Sequence, residues 1–175
     1  VTAFATVRIR HRCWRVLAPR WAHAPLSGAE AARHGGRYNP PGTAALYLSE
    51  DLLTAIAEYE QELGIRPGTF CAYELDVMDI VDLTHEPTRA DLGVTLEDLL
   101  APWQEIAFVR AGQPPTWVLA RRLMEGGCGG ARVPSVIIHG AANIVLWRWN
   151  DGPHHRVIAH DPLGDLPLDQ SAWRR

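Results

Sequence analysis

No lysine occurs in the 175 residues; the whole lysine-plus-arginine total of 17 is arginine. That absence excludes a Schiff-base lysine, a P-loop lysine under a phosphate and a lysine general base. Every fixed positive side chain is a guanidinium, permanently charged and shaped for paired contacts with carboxylate or phosphate. A GC-rich coding sequence, which favours Arg, Ala and Gly codons, is a sufficient origin for the bias. The bias still limits the available chemistry.

Cysteine is scarce as well. Cys13, Cys71 and Cys128 are odd in number, far apart and without Cys-x-x-Cys spacing. This argues against a disulfide framework or a zinc knuckle and suits a reducing cytoplasm. No apolar run approaches the roughly 18 residues of a membrane span. None follows a basic start, so no signal peptide is expected. The net charge of −3 argues against direct nucleic-acid binding by phosphate neutralisation. The cluster Arg8, Arg10, Arg12 and Arg15 is locally basic, but alternating arginine on a strand reads as a solvated face.

What is present describes an ordinary globular chain, 47% hydrophobic and 21% charged, read as one domain over 1–175. A chain of this size buries about 70% of its unfolded surface. Arg12–Leu17, Ala44–Leu48 and Phe70–Val77 read as strands, the last extended by Ile80–Leu83. Val136–His139, Ile144–Trp149 and Arg156–His160 read as three more. Ser49 looks like the N-cap of a helix ending near Leu63, with Gly64 beyond it. Gly28–Arg33 can form a helical turn. Thr95 opens a short helix over Leu96–Leu100, and Pro115 and Gly126 bracket another over Thr116–Glu125. The tail from Asp161 to Arg175 is expected to wrap the surface. Clustered rather than alternating elements indicate an α+β fold with a mixed or antiparallel sheet.

The densest polar cluster is Gly35-Gly36-Arg37-Tyr38-Asn39-Pro40-Pro41-Gly42. Paired glycines let a backbone turn sharply or approach a ligand closely. An arginine held there can grip a phosphate, although the same composition describes a surface turn. Tyr47 follows in a short apolar strand and Glu58 in the next helix. At 100° per residue, Leu52, Ile56, Tyr59 and Leu63 share one face. Glu58 falls opposite, beside Thr54, Gln61 and Glu62, facing solvent or a cleft. Glu60 lies at the edge of the apolar stripe, and periodicity does not choose between the two.

Other features carry less. His154, His155, His160 and Asp161 invite a metal, but their spacing matches no established ligand pattern, and none is expected. Cys128 lies among glycines with no base nearby in sequence, so no catalytic role is expected. Ser27 reads as a turn cap. Trp14, Trp117 and Trp147 read as core, while Trp103 and Trp149 are also candidates for a pocket or partner surface.

The run LSGAEAARHGGRYNPPGTAALYLSEDLLTAIAE, ending at Glu58, resembles the opening block of the RES-domain family. These are toxins of toxin–antitoxin pairs whose antitoxin is an Xre-type helix-turn-helix protein. The family's Arg, Glu and Ser match Arg37, Glu58 and Ser135. Val133-Pro134-Ser135 matches the family's later motif, and Asn143 stands where a family Asn is expected. The resemblance is strongest over 14–161. Leu146-Trp147-Arg148-Trp149-Asn150 departs from the family's Asn-Pro and His-Pro stretch.

The resemblance implies a single α+β domain. Its sheet core would be ADP-ribosyltransferase-like, mixed or antiparallel, with two to four helices. It implies cleavage of the nicotinamide–ribose bond of NAD+ by hydrolysis or phosphorolysis. NAD+ is then a substrate, phosphate an alternative co-substrate, and no cofactor or metal is needed. Arg37 would hold phosphates or ribose, and Tyr47 would stack on nicotinamide or ribose. Glu58 would bind ribose hydroxyls and stabilise positive charge. Ser135 and Tyr38 would bond the nicotinamide end or position Glu58. Gly36, Asn39 and Asn143 complete the substrate-binding set, with Asn39 read mainly as a loop-shaping residue. Arg37, Arg148, Arg156 and several histidines are candidates for a phosphate site.

The implied partner is an Xre-type antitoxin covering the cleft in the cytoplasm, with a homodimer within that complex as one assembly. Two other readings stay open. One is a mono-ADP-ribosyltransferase acting on a protein, and the other a non-catalytic partner-binding module. The intact set Arg37, Tyr47, Glu58 and Ser135 argues against the module.

Overall fold

The alternating stretch expected as a strand over Phe70–Val77 becomes the spine of the fold. In the computed structural model, which describes residues 2–61 and 64–171, it runs as β4 (Thr69–Asp82). Cys71, Tyr73, Leu75 and Val77 point into the core, while Phe70 and Met78 stay exposed. That is the period of two of a strand with one covered face.

The other strands are β1 (Val7–Ile9), β2 (Arg12–Leu17), β3 (Leu46–Ser49), β5 (Gly130–Pro134), β6 (Ala142–Leu146) and β7 (His155–Ala159). The helices are α1 (Ala29–His34), α2 (Leu52–Glu60), α3 (Glu86–Leu92), α4 (Leu96–Leu100) and α5 (Pro115–Glu125). A 3-10 turn (Pro19–Trp21) and a π-helical turn (Glu105–Val109) complete the regular structure of the described residues. The fold is α+β.

β4 pairs with β1 and β2 along one edge and with β7 and β5 along the other. From β2 the pairing passes to β3, β6 and β5, and β5 returns to β4 as the parallel neighbour. These strands form a closed ring, which leaves few open edges. Asp79, at φ 60°, stands where β4 exchanges β7 for β5. A Cβ on Gly130 would run into the Val145 carbonyl, so the ring closes here on a glycine.

Apolar side chains fill both faces of the ring. Leu46, Leu48, Tyr73, Leu75, Ile144 and Leu146 belong to one cluster. Val81, Leu99, Leu119, Leu123, Val133 and Val145 belong to the other, beneath α4 and α5. β2 and β3 meet at a single register pair, Trp14 with Ser49. Arg15, next to Trp14 on β2, and Tyr47, two residues before Ser49 on β3, both line the cleft described below.

Several local expectations change. The strand expected over Val136–His139 ends instead at Pro134. Ser135 Oγ accepts the N–H groups of Ile137 and Ile138 at 3.1 Å each, which curls the chain into a bend. Ser49 is the last residue of β3, and Asp51 is the N-cap of α2, accepting from Thr54 N at 2.8 Å. α2 buries Thr54 and Ala55 rather than the expected apolar stripe, and Leu53 is exposed. Glu62 and Leu63 and the final tail residues 172–175 lie outside the described residues. β1 and α3 add to the expected elements. Among the described residues no helix is long and apolar enough to cross a membrane.

Candidate active site

A cleft of about 510 Å³ opens between α2, the Gly35–Tyr38 loop and the segment after α4. A smaller lobe of about 200 Å³ adjoins it, and Arg15, Tyr47, Glu58, Tyr59, Arg66 and Asn143 line both. The larger volume lies within the usual range of roughly 300–1,000 Å³ for ligand pockets.

The loop is built around Asn39. Its Nδ2 donates to the carbonyls of Ala31 at 2.9 Å and Thr43 at 2.8 Å, and its Oδ1 accepts from Tyr47 Oη at 2.7 Å. Asn39 is fully buried and does not line the cleft, so its place in the substrate-binding set is corrected to loop organiser. Tyr47 Oη also accepts from Tyr38 N at 2.9 Å. Burial pushes the Tyr47 phenol well above the usual tyrosine range, which keeps the proton it gives to Asn39. Gly36 lines the cleft directly beneath this pair.

Glu58 faces the cleft because it lies one turn along α2 from the buried Thr54 and Ala55. Ser135 Oγ donates to its Oε1 at 2.8 Å, and Asn143 Nδ2 donates to the same oxygen at 2.7 Å. The Ser135 hydroxyl already accepts two backbone N–H groups, so its own proton is directed to Glu58. Oε2 has one long contact, 3.5 Å from Gln61 Nε2. The carboxylate is thus clamped through one oxygen and open through the other.

Three guanidiniums share the cleft: Arg15, Arg37 and Arg66. Arg37 Nη1 donates to the carbonyls of Leu99 at 3.1 Å and Ala101 at 2.7 Å, at the C-terminal end of α4. Burial lowers its pKa, opposed by the neighbouring Tyr38, Glu58 and Tyr47. Arg66 lies over the Tyr59 ring, 3.9 Å from the centroid, a cation–π contact. Arg15 Nη1 is buried with no hydrogen-bond partner among the described residues. A buried donor without an acceptor is uncommon and marks Arg15 as a candidate anion contact.

Arg15 was expected on a solvated face. Arg12 does pair on the outside with Glu74 at 2.7 Å, and Arg8 with Asp76 at 2.6 Å. Arg15 has the opposite strand parity and turns inward. Arg148 and Arg156, expected candidates for an anion site, do not line the cleft; Arg148 pairs with Asp151 at 2.7 Å.

Tyr38 contributes to the cleft wall, but its ring is packed in the core and its hydroxyl bonds neither Glu58 nor any other described group. Trp147 is buried and donates to Tyr38 O at 3.0 Å. Trp103 lines the cleft, whereas Trp149 packs on the ring core and donates to Leu26 O at 3.0 Å. Cys128 is buried, and desolvation raises its thiol to about 11. His155 is buried against Asp151, away from the cleft. Among the described residues no group of three or more His, Cys, Asp or Glu side chains is placed to hold a metal.

The family model described as RES domain matches residues 12–169. A chain of the M. tuberculosis MbcT–MbcA toxin–antitoxin complex has a similar fold. The TM-score is 0.64 at 22% identity, over 90% of this chain and 87% of that one. No curated protein matches.

Proposed function

Because the chain belongs to the RES domain family, we propose that it cleaves the nicotinamide–ribose bond of NAD+ in the cleft beside Glu58. The observation that carries this reading is the carboxylate itself. Glu58 Oε1 is clamped by Ser135 and Asn143, while Oε2 is available to a ligand. Cleavage develops positive charge on the ribose, and nicotinamide leaves neutral. No acid has to protonate it, unlike the leaving group of a glycosidase with its two carboxylates. One fixed carboxylate that accepts from a ribose hydroxyl and faces the developing charge is the required group. Arg15, Arg37 and Arg66 suit the pyrophosphate through charge-assisted hydrogen bonds. Tyr47 supplies its ring as a wall for nicotinamide or ribose, since its hydroxyl is already used in the loop.

Phosphate is the acceptor favoured over water. The support is the smaller lobe, where Arg15 and Arg66 stand with Glu58 around a space of about 200 Å³. No metal or cofactor takes part in this reading. The protein is then the toxin of a toxin–antitoxin pair, acting in the cytoplasm on NAD+ rather than on nucleic acid. An Xre-type antitoxin covers the cleft, with a homodimer as one arrangement inside the complex. The fold likeness to a chain of a toxin–antitoxin complex supports an antitoxin partner.

The test is to incubate the purified protein with NAD+, with and without phosphate, and identify the products. Nicotinamide with ADP-ribose 1″-phosphate is the expected outcome. Nicotinamide with ADP-ribose indicates water, and a labelled protein indicates transfer. No nicotinamide release overturns the reading. Glu58→Gln is expected to lower turnover by about 10²-fold or more.

A further inference from the structure

Ser49 closes β3 and is one of the few buried polar side chains, 5% exposed. It sits directly opposite Asn143 in the β3–β6 register. Its Oγ donates to Asn143 Oδ1 at 2.7 Å, and Asn143 Nδ2 donates onward to Glu58 Oε1 at 2.7 Å. Hydroxyl, amide and carboxylate thus form one directed chain across two strands and a helix. Resting on the NAD+ reading above, we propose that Ser49 is a positioning residue for Glu58, acting only through Asn143.

The physical argument concerns the two ends of an amide. Turned over, Asn143 would set its oxygen against the Glu58 carboxylate, two acceptors at hydrogen-bonding distance. In the observed orientation the oxygen needs a donor on its far side, and Ser49 supplies it. Hydrogen bonds in series polarise one another, so the N–H offered to Glu58 is strengthened by the O–H behind it. Removing Ser49 takes the donor away from a half-buried amide oxygen and weakens the preference for the productive orientation. Ser135 holds Oε1 independently, so Glu58 is loosened rather than lost. Ser49 also lines the smaller lobe.

Ser49→Ala should lower kcat about tenfold, less than the roughly 10²-fold expected from loss of Glu58 itself, with KM for NAD+ nearly unchanged. Ser49→Thr, which keeps the hydroxyl, should restore kcat. In an Asn143→Ala background, Ser49→Ala should have no further effect, because residues acting in one chain are not additive. An equal loss in both backgrounds, or Ser49→Thr as slow as Ser49→Ala, overturns the proposal. A second readout needs no turnover. The side-chain amide protons of Asn143, followed by NMR, should shift and exchange faster in Ser49→Ala than in the parent or in Ser49→Thr. An unmoved Asn143 resonance in folded Ser49→Ala overturns the proposal even if NAD+ is cleaved. If the parent leaves NAD+ intact, the functional reading fails while the resonance still decides the role of Ser49.

Discussion

Gly36 shows how little freedom a single position in the cleft has. A Cβ there would stand 2.6 Å from both Asn39 Oδ1 and Tyr47 Oη. Gly36→Ala must therefore separate the pair that organises the loop. Overpacking of this kind costs about 1–3 kcal/mol. Thermal melting should register that loss, and affinity for ADP-ribose should fall as the Tyr47 wall shifts. An unchanged melting temperature and affinity would mean the loop yields freely. Cys128 makes the opposite case, a residue suspicious in sequence and inert in place. With its thiol raised to about 11, it should resist a thiol reagent at pH 8 in the folded protein and react promptly in denaturant. The inward face of Arg15 is legible in the sequence. Arg8, Arg10 and Arg12 share one parity along the chain, and Arg15 breaks it, which on a strand reverses the face. Nothing in the sequence, by contrast, announced that Ser49 would meet Asn143, because that pairing depends on strand register.

Among the elements, α2 matters most, since it aims Glu58. Its start is set by Asp51, which accepts from Thr54 N at 2.8 Å and from Thr54 Oγ1 at 2.6 Å. Those bonds hold the Asp51 carboxyl below its ordinary range. Asp51→Ala should destabilise the protein by about 1 kcal/mol, the usual worth of an N-cap. Because the folded-state pKa is the lower one, the contribution is complete above the unfolded value of about 3.9. It is lost as the pH falls through the folded value. Parent and variant should therefore differ in denaturation at neutral pH and converge only in acid, and a constant gap down to low pH would contradict this origin. The helix itself was readable from composition; its buried side was not. The hydrophobic stripe ranks side chains by apolarity, yet the packed side here carries a threonine and an alanine. They are small enough to bring the helix close to β2 and β3, and close approach is what places Glu58 in the cleft. α4 and α5 were readable from Thr95, Pro115 and Gly126 because caps are local. The bend after Pro134 leaves no apolar pattern, because its cause is a serine hydroxyl bonding backbone.

At the scale of the whole molecule, the ring of strands brings together residues distant in sequence: Arg15 from β2, Tyr47 from β3, Glu58 from α2, Ser135 after β5 and Asn143 from β6. Strand propensity found most of these segments, but the parallel closure of β5 on β4 leaves no local signature, and with it the shape of the cleft stayed out of reach. The assembled site separates two kinds of arginine. Arg37 ties the end of α4 through the Leu99 and Ala101 carbonyls, so it serves the fold as well as lining the cleft. Arg15 offers a buried Nη1 with no partner among the described residues, so that donor adds nothing to the unliganded fold. A ligand at 100 times its Kd stabilises by about 2.7 kcal/mol. For a chain of this length each kcal/mol moves the melting temperature by roughly 2–4 °C, so ADP-ribose should raise it by about 5–11 °C. Arg15→Gln should keep the unliganded melting temperature and lose most of the ligand-induced rise, because a neutral amide cannot replace a charge-assisted phosphate contact. Arg37→Gln should lower both quantities, because its loss also leaves the two carbonyls at the end of α4 without their donor. Thermal scans of the three proteins with and without ADP-ribose separate the cases. An Arg15→Gln protein with an undiminished rise would remove Arg15 from the anion site.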